Sequence, residues 1–197
     1  MKNGATEQYF AEIVQSSINQ WKAICWNWNQ IPEFGSIVSI SQHHLEYLAI
    51  VSGIETGSGD PGRIPFPYQK TFEQLEREQP QTFELLQTTF DLVPLGYLEN
   101  QEPFNLLPPR PPLIHSFVSF APHSSIKKLC ALDRFLSLLF SSEVVLLQEL
   151  VVCLIRFLKK NEILTEEILH EIFLQLSNSG LEYKKLRMAI NKVEQLI

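Results

Sequence analysis

Two hydrophobic periodicities divide this chain: alternation and turn residues come first, and helical spacing follows. Tyr9–Ser16 reads as a strand that breaks at Ser17-Ile18-Asn19-Gln20. Trp21–Trp28 resumes the alternation, with Trp21, Ala23 and Cys25 on one face and Ile24, Trp26 and Trp28 on the other. A turn around Pro32 leads into Ser36–Ser41, and His43-His44 turns the chain into Leu45–Ile54, a strand apolar on both faces. Thr89–Leu98 is a fifth strand. Between the fourth and fifth, Lys70–Leu86 is rich in Glu and Gln, with Phe72, Leu75, Phe83 and Leu86 as its apolar points. That spacing predicts a helical insertion interrupted at Pro80. Five or six short strands suit a small barrel, because closure removes the exposed sheet edges.

The second half predicts four helices. Ser125–Phe140 carries Leu129, Leu132, Leu136 and Leu139 at three- and four-residue spacing. Ser142–Lys160 is apolar on two faces, which makes it the central helix of a bundle. The third helix starts at Thr165, an N-cap residue followed by Glu166 and Glu167 in the first turn, with Leu164 placed to staple to Leu169. It ends at Asn178-Ser179-Gly180. Glu182–Gln195 is the last, with Leu186, Ile190 and Val193 inward.

Composition sharpens the division. All 12 Pro and 7 of the 8 Gly lie at or before Pro122. Residues 1–120 hold 6 basic and 13 acidic side chains, a balance of −7, whereas residues 121–197 hold 10 and 9, a balance of +1. The expected fold class is α+β, with a β-barrel over residues 1–120 carrying the insertion near 70–86, and a four-helix domain over 121–197. The formal charge of −6 argues against wholesale binding to nucleic acid or anionic membranes. The longest apolar run is six residues, Leu150–Ile155, far short of the roughly 20 that a membrane span needs. Met1–Glu7 has no apolar run after its one basic residue, and Cys25, Cys130 and Cys153 form no CxxC pair. A soluble protein of the cytoplasm is the expectation.

Catalytic motifs are missing from the sequence. Gly57-Ser58-Gly59-Asp60-Pro61-Gly62 matches GxGxxG, but the prolines at 65 and 67 oppose the helix that a phosphate would need there. Asp60-Pro61-Gly62 reads as a turn. Walker A and GxSxG sequences are absent. His170-Glu171 would need a second His where Leu174 stands, and His43-His44 reads as a wet turn rather than a metal pair. The three cysteines read as small apolar residues. The expectation is a non-enzymatic protein without cofactor or metal.

Three features point toward partners. Leu107-Pro108-Pro109-Arg110-Pro111-Pro112 must be extended, and reads as a stiff exit from barrel to helices that could present Arg110 to a partner. Trp26 and Trp28 oppose Trp21 across the alternation, so one face cannot bury all three rings. The other ring must be covered by the insertion, the helices or another chain, and Trp26 or Trp28 is a candidate contact. Finally, the helix–turn–helix pattern of Leu176–Ile190 places Lys184, Lys185 and Arg187 on the second helix, as a DNA reader would.

The order of the first half resembles the HAS barrel, the small N-terminal barrel shared by HerA-type DNA-translocating ATPases and rotary ATP synthase subunits. The resemblance covers residues 8–120. It rests on Phe34-Gly35-Ser36-Ile37-Val38-Ser39-Ile40, on Leu45–Ile54, on the strand around Val93–Leu98 and on the prolines of Leu107–Pro112. It implies a barrel that does no chemistry but packs beside neighbours as a collar and helps dock a partner protein. The ATPase domain that follows in that family is not in these residues, so ATP hydrolysis does not carry over. The expected function is therefore a protein–protein docking or scaffold module, as a homo-oligomer or with another protein. The alternative is a nucleic-acid-associated regulator using Lys184, Lys185 and Arg187.

Overall fold

Short alternating segments and tight turns build the first half, and a computed structural model describes residues 9–60, 62, 66–179, 187–188 and 191–193. The described strands are β1 (Tyr9–Ser16), β2 (Trp21–Cys25), β3 (Ile37–Gln42), β4 (Leu45–Ser58), β5 (Leu86–Glu99), β6 (Glu102–Phe104) and β7 (Phe117–Phe120). The helices are α1 (Phe72–Glu78), α2 (Gln81–Glu84), α3 (His123–Cys130), α4 (Ser137–Phe140), α5 (Leu147–Lys160) and α6 (Glu166–Asn178). The fold is mixed α and β, with strands mostly in the N-terminal half and helices mostly in the C-terminal half.

The sheet order is β2-β1-β7-β3-β4-β5-β6, and β2 also pairs with β5. That extra pairing closes six antiparallel strands into a barrel, leaving β6 outside as a hairpin on β5. Two-residue turns drive the meander. His43-His44 joins β3 to β4 with His43 at φ 55°, and Asn100-Gln101 joins β5 to β6 with both residues at positive φ.

Alternation sorts the side chains into two cores. Trp21, Ala23, Val38, Ile40, Tyr47, Ala49, Val51, Phe90, Leu92 and Val118 form one, inside the barrel. The other face of the same strands supplies Ile37, Leu48, Ile50, Val93 and Leu95, which join Ile126, Leu129, Phe135, Leu150, Leu154, Ile155 and Leu158 from the helical half. The helices thus pack on the barrel wall. This explains why Leu45–Ile54 reads as apolar on both faces: one face fills the barrel and the other meets helices.

Two glycines mark where backbones approach too closely for a side chain. Gly35 has φ +84°, and a Cβ there would lie 2.6 Å from the Cβ of Cys153 on α5. Gly96 has φ +150°, and its Cβ would lie 2.3 Å from the carbonyl oxygen of Phe104. Asn105 ties the halves together. Its amide nitrogen donates to the carbonyls of Leu95 and Phe135, each at 2.9 Å, and its oxygen accepts from the Ser137 hydroxyl at 2.5 Å.

Several boundaries differ from the sequence expectation. β2 stops at Cys25, so Trp26 and Trp28 lie in turns rather than on a strand face. β4 and β5 are each 14 residues long and run together past the barrel toward the insertion. The proline segment is not an exit: after it the chain returns as β7, which pairs with both β1 and β3. Four residues with few sequence cues made that strand invisible, although it completes the barrel. Ser125–Phe140 is not one helix but α3 and α4, separated by a stretch in which Arg134 has φ 56°. The helix expected from Ser142 begins at Leu147. Other expectations hold at the level of elements: α1 and α2 flank Pro80, and Thr165 caps α6 by accepting from the Ile168 N–H at 3.3 Å.

Candidate functional site

Two surface features collect chemistry-bearing side chains. The first grows from the end of β2. The Trp26 N–H donates to the Phe10 carbonyl at 2.9 Å, which fixes the turn beside β1. The Trp26 ring then stands edge-on to Phe117 of β7, at 5.2 Å and 86°. Phe117 in turn lies 5.4 Å from Tyr9 of β1. Trp26 is 41% exposed and Phe117 47% exposed. Three neighbouring rings on the outside of a closed barrel form an apolar surface with a polar handle at each end, the arrangement that favours protein contacts.

Trp28 goes elsewhere. Its ring stacks on Phe83 of α2 at 5.6 Å and 9°, and lies 6.3 Å from Phe72 of α1. Its carbonyl accepts from the Thr88 hydroxyl at 2.6 Å. Because that proton is committed, the 2.7 Å contact between Thr56 and Thr88 must have Thr56 as donor. The insertion therefore covers Trp28 within the chain and leaves it half-buried. Trp21 is fully buried inside the barrel, with its indole N–H donating to the Ser17 carbonyl at 2.9 Å.

The second feature is a cavity of about 460 Å³ lined by Tyr47, Arg110, His43, Leu45, Pro109 and Leu113, among others. Pro112 and Leu113 are pinned on both sides. The Pro112 carbonyl accepts from the Ser16 hydroxyl at 2.7 Å, and the Leu113 N–H donates to Gln42 at 3.2 Å. Arg110 is exposed on that stiff span. Burial pushes the Tyr47 hydroxyl up from its ordinary pKa, while the nearby Arg110 charge opposes the rise.

Burial raises the pKa of all three thiols. Burial pushes Cys25 up to about 11 and Cys130 up to about 12. Cys153 is also shifted upward, chiefly by burial. In the GxGxxG segment, the Asp60 carboxylate accepts from the Gly62 N–H at 3.0 Å, which is turn chemistry, and the next described helix starts only at Phe72. Among the described residues no three His, Cys, Asp or Glu side chains gather as metal ligands. No described helix is long and apolar enough to cross a membrane.

Of the residues singled out from the sequence, Trp26 and Arg110 are exposed, and they sit on the two features just described. Arg187 is exposed in a helical stretch, while Lys184 and Lys185 lie outside the described residues. Phe117, Tyr9 and Tyr47 were missed. Phe117 belongs to the unrecognised β7, and nothing in a local window tells that Tyr47 opens onto a cavity. No family model matches this chain, and no curated protein matches it. The chain is a mixed α and β protein with a closed six-stranded antiparallel barrel.

Proposed function

We propose that this chain is a non-enzymatic docking module whose contact surface is the ring cluster Tyr9–Trp26–Phe117. The observation that carries the reading is the half-exposed Trp26–Phe117 pair, packed edge to face on the barrel exterior. Aromatic rings held rigidly in this way lose little entropy on binding and anchor interfaces more often than other side chains do. The closed antiparallel barrel is compatible with the HAS-barrel resemblance, in which the barrel serves as a docking collar. The partner is a second copy of the chain or another protein with a complementary apolar pocket.

Light scattering and pull-down of the wild type, Trp26→Ala, Phe117→Ala and a control variant, Leu106→Ala, test this. Leu106 is also an exposed apolar residue and is not one of the three rings. Self-association or partner retention that is lost in the two aromatic variants and kept in the control is the expected result. Equal behaviour of all four proteins defeats the proposal.

A further inference from the structure

The cavity between the β3–β4 turn and the proline segment holds two polar groups that make no hydrogen bond or ion pair among the described residues. Tyr47 is only 2% exposed, its ring lying edge-on to Trp21 at 5.7 Å inside the barrel. Its hydroxyl makes no hydrogen bond among the described residues, yet no described side-chain oxygen or nitrogen is both buried and unpaired. The hydroxyl must therefore spend its small exposure on the cavity that Tyr47 lines. Arg110 lines the same cavity and forms no ion pair with a described carboxylate. Among the described residues no Asp or Glu lines the cavity, although the chain is acidic overall. His44 is already engaged by Glu99 at 3.1 Å, which leaves the guanidinium as the permanent charge.

We propose that this cavity binds a small organic carboxylate, its anionic group held by Arg110 and the Tyr47 hydroxyl and its apolar body lying against Leu45, Pro109 and Leu113. A volume of about 460 Å³ falls within the usual range for small-molecule sites, which combine apolar walls with a few convergent polar groups. A planar guanidinium matches a carboxylate in two parallel hydrogen bonds. One permanent positive charge balances a monoanion but leaves a phosphate dianion under-neutralised, and leucine and proline walls reward hydrocarbon. The raised Tyr47 hydroxyl remains a donor at neutral pH. The ring cluster at Trp26 plays no part in this site, so either proposal stands or falls without the other.

Titration calorimetry with benzoate, hexanoate, benzamide and inorganic phosphate decides the matter. Saturable one-to-one binding of benzoate or hexanoate is expected, with benzamide and phosphate weaker by at least about tenfold. Arg110→Gln, an exposed substitution, should weaken the acids by at least about tenfold. Tyr47→Phe should weaken them several-fold with an unchanged melting temperature, because no protein hydrogen bond is lost. Should Tyr47→Phe fail to fold, Arg110→Gln alone is decisive. Absence of saturable binding by both acids, undiminished binding by Arg110→Gln, or equal binding of benzamide or phosphate overturns the assignment.

Discussion

Gly35 shows how a single missing side chain can position an entire helix. Its φ of +84° disfavours any residue with a Cβ, and such a Cβ would also lie within 2.9 Å of the backbone of Cys153 and Leu154. Gly35→Ala should therefore destabilise the protein by roughly 2–5 kcal/mol, combining left-handed backbone strain with overpacking. Gly57→Ala is the matched control, since a Cβ there meets nothing within 4 Å. Urea denaturation should show that control within about 0.5 kcal/mol of the wild type. Equal midpoints for both variants would mean that α5 shifts freely away from the loop. In the sequence Gly35 stands within the Phe34–Ile40 segment that carries the barrel resemblance. Its physical reason, the approach of a helix more than a hundred residues further on, needed the tertiary structure.

Elements with local signals were legible, and those defined by pairing were not. Thr165 is a good example of the first kind, because an N-cap needs only the next three residues. Thr165→Ala should cost about 1 kcal/mol in urea denaturation, and Thr165→Asp should restore most of it. No difference among the three proteins would show that α6 is held by packing alone. The helix breaker at Pro80 was legible for the same reason: proline acts on its own backbone. By contrast, β7 has four residues and two exposed phenylalanines, and only its partners β1 and β3 make it a strand. The aromatic surface inherits that blindness. Trp26 was visible as a surplus ring, but Phe117 could not be placed beside it without β7.

At the scale of the whole molecule, barrel and helices share one hydrophobic cluster, and Glu33 adds an ionic link between them. Its carboxylate meets Lys160 of α5 at 2.6 Å and Arg156 at 3.6 Å. The hydrogen bond from Lys160 leads in holding the Glu33 carboxyl below its ordinary pKa. A lowered folded-state pKa contributes stability above the unfolded carboxylate value, and the contribution disappears as pH falls through the folded value. Solvent screens the link, with the Glu33 side chain 43% exposed, so its worth is at most about 1 kcal/mol. Wild type should accordingly exceed Glu33→Gln in urea midpoint at pH 7, and the gap should shrink as pH falls below the ordinary carboxylate range and in high salt. A gap that persists in acid would mean that it does not come from the ionised Glu33 carboxylate.

The sequence by itself determined the switch from strand-rich to helix-rich chain near Pro122, the alternation that fills the barrel, the interrupted insertion and the cap of α6. All of these follow from a residue's own backbone preference or from side chains a few positions apart. Tertiary structure decided which strands pair, that the proline span returns to the barrel, and that α5 packs against the loop at Gly35. It also decided that Trp26 meets Phe117 while Trp28 meets Phe83, and that Tyr47 shares a cavity with Arg110. Each of these joins residues whose proximity depends on barrel closure, and closure is a property of the whole set of strands rather than of any one segment.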